Sequence, residues 1–393
     1  MKISNDILYV GVNDHDIDLF EGHYIVPEGM AYNSYVIKGE KTAVMDSVDG
    51  RFAEEWIAKV REAAGSPDYL VIQHMEPDHS GSILGFMSAF PEATIVSSQK
   101  AFTMMANFFE GEDFADRRLV VKEGDTLDLG GHTLSFITAP MVHWPEVIMT
   151  YDATDKVLFS ADAFGRFGAL DEIGETNEED DDWACEARRY YFGIVGKYGP
   201  QTQAVLKKAA NLDIRTICAL HGPVLVKDLG YHIGLYDTWS KYEPESQGVV
   251  IAYTSVYGNT KKAVETLAEM LEARGVPEVE VTDLARDDIA EAVEDAFRYD
   301  TVVLATTTFN NGIFPFMREF IESLTERSYQ KRRLAFIENG SWAPQAAKVM
   351  KGMLEGCKNM TYCENDVRII SALNDESRAQ LEALADELAA AYK

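Results

Sequence analysis

The chain has 393 residues, 46% of them hydrophobic, and a net charge of -29; the length predicts two domains rather than one core, and the charge excludes nucleic acid and anionic membrane as natural partners. No apolar stretch is long enough for a transmembrane helix, and Met1-Lys2-Ile3-Ser4-Asn5-Asp6 has no apolar run like a signal peptide. Cys185, Cys218, Cys357 and Cys363 form no CxxC pair, which argues against a zinc ribbon, a rubredoxin module or a disulfide framework and predicts a cytoplasmic setting with reduced thiols.

In chain order, Tyr35-Val36-Ile37 and Thr42–Asp46 read as neighbouring strands, and residues 51–64 have helical periodicity. The apolar run Tyr69–Ile72 reads as a buried strand. It runs into His74-Met75-Glu76-Pro77-Asp78-His79, and Ser80-Gly81-Ser82 then forms a turn that opens a helix. Further strands are expected at Thr94–Val96, Leu119–Val121, Thr133–Phe136 and Val157–Phe159, with His132 in a hairpin turn after Gly130-Gly131. The acidic run Asp171–Asp182 reads as a solvated loop or helix start. Residues 181–212 read as helical, and Ile214–Leu220 returns to strand.

The polar segment Lys241–Gly248 precedes the β-rich run Val249–Tyr253, which places the expected domains at residues 1–247 and 248–393. Beyond it, strands near 249–254, 279–283, 301–306, 333–338 and 361–369 alternate with helices near 259–274, 287–296, 315–327, 343–356 and 375–391. That alternation predicts a doubly wound parallel sheet.

Among the histidines, His74, His79, His143 and His221 each follow a strand-like segment, as does Asp162, whereas His15, His23, His132 and His232 have no such context. Several strand ends, each delivering one ligand, is how an αβ scaffold builds a metal site. The mixed imidazole and carboxylate set suits iron, manganese or zinc. Asp162 is suited to bridge two metals, because each of its oxygens can take one ion. His79 either ligates or lies beside the metal with a water in its place.

In the second half, Thr254-Ser255-Val256-Tyr257-Gly258-Asn259-Thr260 ends the first strand and opens a helix. Its hydroxyls, backbone N–H groups and helix N-terminus suit a phosphate monoester. It is neither a P-loop nor a GxGxxG turn, and it resembles the flavodoxin phosphate loop, whose ligand is FMN. Thr308-Phe309-Asn310-Asn311-Gly312 and Asn339-Gly340-Ser341-Trp342 end the third and fourth strands. In a sheet ordered 2-1-3-4-5 all three loops meet at the switch point. There Gly312 and Gly340 let the backbone approach an isoalloxazine ring, and Phe309 and Trp342 are positioned to stack near it.

The order His-x-Glu-x-Asp-His, then His143, Asp162 and His221, resembles the metallo-β-lactamase superfamily, with Glu76 where the hydrolases carry His. Joined to a flavodoxin-like half, it resembles the flavodiiron proteins (A-type flavoproteins) over essentially the whole chain. The resemblance implies an N-terminal αββα metallo-β-lactamase-like domain and a C-terminal flavodoxin-like doubly wound parallel sheet. It also implies two Fe, FMN, and reduction of O2 to water, NO to N2O, or both. Matched to the motif, His74, Glu76 and His143 hold one iron, Asp78, His79 and His221 the other, and Asp162 bridges them. His23, Tyr190 or Tyr191 is implied as a hydrogen-bond donor to a bound intermediate.

The chain stops at Lys393 without a rubredoxin or flavin-reductase extension. A separate rubredoxin-like donor with an NAD(P)H-dependent reductase upstream is therefore expected, as is a head-to-tail homodimer or dimer of dimers. Lys261-Lys262 and Lys331-Arg332-Arg333 are candidate donor-docking cations. Two alternatives stand beside this reading: a metal-dependent hydrolase with a regulatory flavin half, and an electron-transfer module with a structural metal.

Overall fold

Two β-sheets face one another in the first unit, Met1–Asp237, of this computed structural model, which describes residues 1–180 and 182–393. The first sheet runs Ile7–Tyr9, Tyr35–Lys38, Thr42–Met45, Tyr69–Val71, Thr94–Ser98, Arg118–Val121, antiparallel at its first two pairings and parallel thereafter. The second runs Thr126–Asp128, Thr133–Thr138, Ile148–Asp152, Val157–Phe159, Thr216–Cys218, with a single parallel pairing at its last edge. Tyr35, Ile37, Met45, Val71 and Val96 from one sheet share a core with Phe136, Ile148, Phe159 and Cys218 from the other. Alternate residues of a strand point to one face, so each sheet turns its apolar set inward.

Helices close the outer faces. The helix Ala53–Ala64 buries Trp56 and Val60, and Trp56 Nε1 donates to Ser34 Oγ at 2.9 Å. The helix Gly199–Ala209 lies along the second sheet with Thr202 and Val205 buried. The expected αββα layering is therefore present. No helix among the described residues is long and apolar enough to cross a membrane.

The structure corrects several local readings. Short strands at Val12–Asp14, Leu19–Phe20, Tyr24–Ile25 and Met30–Tyr32 precede the first expected strand; two or three residues carry no readable period. The stretch 181–212 is not one helix. It runs as a helix Trp183–Tyr190, a π-helical turn Tyr191–Val195, a 3-10 turn Gly196–Tyr198 and a helix Gly199–Ala209. Gly193, Gly196 and Gly199 weaken the regular helix there, and Gly193 is needed for contact: a Cβ would meet the Tyr24 ring at 2.9 Å. In the acidic run, Asp180 turns inward with both oxygens 2.6 Å from Arg166 Nη1, while Asp181 lies outside the described residues. His132 does close a turn, accepting from Leu129 N at its carbonyl, but its ring is buried and its Nδ1 lies 2.9 Å from Asp152.

The second unit, Thr238–Lys393, holds a parallel sheet ordered Val279–Asp283, Ser246–Tyr253, Tyr299–Phe309, Arg333–Asn339, then Thr361–Tyr362 and Val367–Ile369. This is the expected 2-1-3-4-5 order. The fifth strand is split, because the Glu387 carboxylate accepts from Glu364 N and Asn365 N and so takes donors a ladder would otherwise use. Its core includes Val249, Ile251, Val303, Ile337 and Leu384.

Of Lys331–Arg333, Arg332 is not free to meet a partner. Arg332 is 1% exposed, and its guanidinium donates to the carbonyls of Tyr242, Gln330, Lys331 and Phe297. Lys331 pairs with Glu243. A buried guanidinium is tolerated only when its donors are satisfied, and the Tyr242 and Phe297 carbonyls come from segments distant in sequence.

Candidate metal centre and switch-point loops

Every residue of the expected ligand set lies at or just beyond the end of a strand, and the fold brings the ends together. His74 follows Tyr69–Val71, and the short helix Pro77–Ser80 carries Asp78 and His79. His143, Asp162 and His221 follow Thr133–Thr138, Val157–Phe159 and Thr216–Cys218, which run in one direction in the second sheet. Ligand atoms of His74, Glu76, His143 and Asp162 lie within 4.8 Å of one another, and those of Asp78, His79 and His221 form a second such group. Asp162 faces both. Its Oδ2 lies 3.0 Å from His143 Nε2 and 3.3 Å from His74 Nε2, while its Oδ1 lies 3.3 Å from His79 Nε2 and 3.9 Å from His221 Nε2.

Hydrogen bonds on the far side of two rings set the chemistry. His221 Nδ1 donates to the Ala31 carbonyl at 2.8 Å, so its Nε2 lone pair points into the site. His74 Nδ1 lies 2.8 Å from Glu146 Oε1, which also accepts from Met75 N. As a result, Nε2 of His74 faces Nε2 of His143 at 3.3 Å, and Nε2 of His79 faces Nε2 of His221 at 3.0 Å. Both carboxylate oxygens of Asp78 and of Asp162 are buried without a hydrogen-bond donor. Inward-facing lone pairs and undonated buried carboxylates need a cation, so the residues present fit two metal ions.

The titration behaviour points the same way. Burial opposes charge on His74, but Asp162, Glu146 and Glu76 outweigh it and hold the ring well above its ordinary range. His143 is likewise pushed up to about 9 against burial by Asp162 and Glu76. Against burial, His143 and His74 hold Glu76 well below the usual carboxylate range. Carboxylates that draw protons onto neighbouring imidazoles hold a place that metal ions take by displacing those protons.

The turns that present these groups are strained. Asp46, Met141, Ala161 and Phe164 have φ of 55°, 66°, 51° and 70°, left-handed values costing about 1–3 kcal/mol each for side chains of this kind. Asp46 is buried and secures the His74 strand end by accepting from Gln73 N at 2.7 Å and Gln73 Nε2 at 2.8 Å. Aromatic rings wall the centre: Trp144 lies 5.2 Å from the His74 ring, Phe20 5.4 Å and Tyr190 5.6 Å from that of His221.

Of the residues implied as hydrogen-bond donors, Tyr190 is buried with no hydrogen-bond partner for its hydroxyl. Burial, then the charges of Asp162, Glu76 and Asp78, raise that hydroxyl well above its ordinary range, so it keeps its proton. Tyr191 packs on Phe192 and Tyr236. His23 is exposed, with its ring 4.0 Å from that of Tyr24. Nothing local in the sequence marks Glu146 or Asp46 for these roles. Glu146 stands 72 residues from the ring it orients, and no local pattern marks such a pair. Carboxylates behind metal-ligating imidazoles set ligand basicity, so Glu146→Gln is expected to weaken metal binding roughly ten- to a hundredfold. Chelator competition measures this, and unchanged retention would remove Glu146 from that role.

In the second unit the three expected loops also meet. Ser255 Oγ accepts from Gly258 N at 3.1 Å and Lys261 N at 3.2 Å, and Gly258 has φ of 87°. Thr308 Oγ1 accepts from Gln345 N and Ala346 N, which ties the second loop to the third. Asn339 Nδ2 donates to Thr260 Oγ1 at 3.4 Å and to Ser371 O at 3.2 Å, so the loop after the fifth strand joins them. Asn310 and Asn311 both have positive φ and close the hairpin that pairs Phe309 with Gly312. At Gly340 a Cβ would lie 3.0 Å from Pro344 Cα, so a larger residue there would press on the Pro344 backbone. Tyr257 and Trp342 are 93% and 91% exposed. Two large aromatic side chains left in solvent around a phosphate-type loop suit a planar aromatic ligand.

Comparison with known proteins agrees with this architecture. Residues 30–222 match the ODP family beta lactamase model and residues 250–363 a flavodoxin domain. The chain is 32% identical over 367 residues to a nitric oxide reductase of Moorella thermoacetica, spanning 91% of this chain and 90% of that protein. Among solved structures, the rubredoxin oxygen:oxidoreductase from the anaerobe Desulfovibrio gigas is 27% identical with a TM-score of 0.91, covering 100% of this chain and 98% of that one. The flavodiiron protein from Giardia intestinalis is 26% identical with a TM-score of 0.91, covering 99% and 96%.

Proposed function

This chain belongs to the flavodiiron proteins, and from that premise we propose that it reduces O2 to water, NO to N2O, or both, at a di-iron centre fed with electrons through FMN. The observation that carries the proposal is the Asp162 carboxylate facing two buried groups of ligand atoms at once, in a chain that also folds a flavodoxin-type sheet. His74, Glu76 and His143 would hold one iron, Asp78, His79 and His221 the other, and Asp162 both. When bound, the irons supply Lewis acidity and two electrons, and FMN supplies a relay that accepts electrons singly and holds two.

The chain's own residues then have definable tasks. Glu146 and the Ala31 carbonyl keep the His74 and His221 rings oriented with Nε2 inward. Phe20, Trp144 and Tyr190 exclude bulk water from the space beside the ligands. The Tyr190 hydroxyl retains its proton, is buried without a partner, and would be free to donate to an oxygen bound at the centre. Ser255, Gly258 and the start of the helix Asn259–Ala273 would hold the FMN phosphate, and the exposed Tyr257 and Trp342 would offer their faces to the ring.

The donor is a rubredoxin-like protein reduced by an NAD(P)H-dependent enzyme. Lys261 and Lys262, exposed beside the phosphate loop, would dock the donor, a role the buried Arg332 cannot share. In a head-to-tail homodimer the flavodoxin-type unit of one subunit would deliver electrons to the metal centre of its partner. The proposal is tested by metal and flavin analysis combined with parallel rates of O2 and NO consumption by the reduced protein. Iron, FMN and rapid loss of at least one gas are expected. Zinc with thioester or lactam hydrolysis and no gas loss would establish the hydrolase alternative instead.

A further inference from the structure

A cavity of about 220 Å³ lies between the helix Gly199–Ala209 and the outer face of the second sheet. Met149, Leu158, Val205, Leu206, Ile217 and Ile233 form most of its wall. Its polar side chains are engaged: Thr202 Oγ1 donates to Tyr198 O at 3.2 Å, and the Tyr236 hydroxyl accepts from Phe164 N at 2.6 Å. A water needs two to four polar partners, and a cavity of roughly 150 Å³ lined by such side chains stays dry and takes up benzene or xenon. Charged or hydrogen-bonding ligands find nothing to pair with here; small apolar ones leave water at a gain.

The position of the two ends gives the cavity a direction. At one end Ala209, Ala210, Leu212 and Ile214 are partly exposed, so the cavity opens toward solvent. At the other end lie Val142, beside His143, and Ala163 and Phe164, beside Asp162. The turn that presents Asp162 to the metal ligands thus also supplies cavity wall. Its left-handed residues, Ala161 and Phe164, let it face both ways. The Phe164 ring is stacked on that of Tyr236 with centroids 4.2 Å apart, closing the inner end with two rings.

We infer that this cavity is a binding site for the small apolar gas consumed at the metal centre, which it concentrates from solvent against the turns that carry His143 and Asp162. The inference rests on the functional reading above and adds to it the place where the substrate gathers. A holding site of this kind contributes to substrate capture and not to the chemical step, so its loss raises KM and leaves kcat unchanged.

The test uses the holoprotein. Crystals pressurised with xenon are expected to show a xenon peak among Leu158, Val205 and Ile217. Val205→Trp fills the cavity; it is expected to remove that peak and raise KM for O2 or NO by roughly tenfold, with kcat, iron and FMN content unchanged. Because overpacking can prevent folding, Ala209→Phe, at the partly exposed end, is measured alongside with the same expectation. No xenon in the parent cavity overturns the inference, and so does an unchanged KM in a folded variant that has lost the xenon peak. Failure of the functional reading looks different: the parent then consumes neither gas whether or not xenon binds, and the supply role falls with it.

Discussion

Asp162→Ala is expected to abolish O2 and NO consumption while FMN stays bound. One carboxylate serves both ligand groups, with Oδ2 3.0 Å from His143 and Oδ1 3.3 Å from His79. Alanine removes the side chain that faces both groups and leaves imidazole nitrogens confronting each other at 3.0 and 3.3 Å with less negative charge between them. Lewis-acid stabilisation by correctly held metals is worth several kcal/mol, so a loss of about a thousandfold or more in gas consumption is expected. Iron content should fall in parallel. Flavin content reports on the other unit and should not move, which separates loss of the centre from loss of the fold. Full activity in Asp162→Ala would sink the di-iron assignment.

The second large effect is expected at the phosphate loop. Ser255→Asp keeps an oxygen that can accept from Gly258 N and Lys261 N, as the serine does now at 3.1 and 3.2 Å. Aspartate side chains accept from nearby backbone N–H groups as serine does, so the fold should hold and thermal unfolding should be nearly unchanged. The new carboxylate would stand where the FMN phosphate is expected, and like charges brought together cost several kcal/mol. FMN affinity should therefore fall by about a hundredfold with iron retained, the reverse of the Asp162→Ala pattern. Titration of the flavin-free protein with FMN measures this. Unchanged affinity would move the phosphate away from Ser255.

Both variants rest on features that were readable before any fold was known. The residues from His74 to His79, with His143, Asp162 and His221, stood out because strand ends and turns are local signals and imidazole and carboxylate side chains are few. The five-strand order of the second unit was equally open to reading, since long apolar strands alternating with amphipathic helices leave few topologies. Readings failed where the deciding contact was distant. Lys331-Arg332-Arg333 reads as a solvated basic patch, yet Arg332 is buried because the Tyr242 and Phe297 carbonyls reach it from other segments. The stretch 181–212 reads as helical, and its helices Trp183–Tyr190 and Gly199–Ala209 are separated by π-helical and 3-10 turns that contain Gly193 and Gly196.

The sequence by itself determined which atoms are available to the metals and to the flavin phosphate, and in what order along the chain they come. Tertiary structure decided which of those atoms are usable. Glu146 holds Nδ1 of His74 and the Ala31 carbonyl holds Nδ1 of His221, and only those partners turn the two Nε2 lone pairs inward. The physical reason is that the tautomer and orientation of an imidazole are set through space by the group at its other nitrogen, and no arrangement of neighbours along the chain encodes that group.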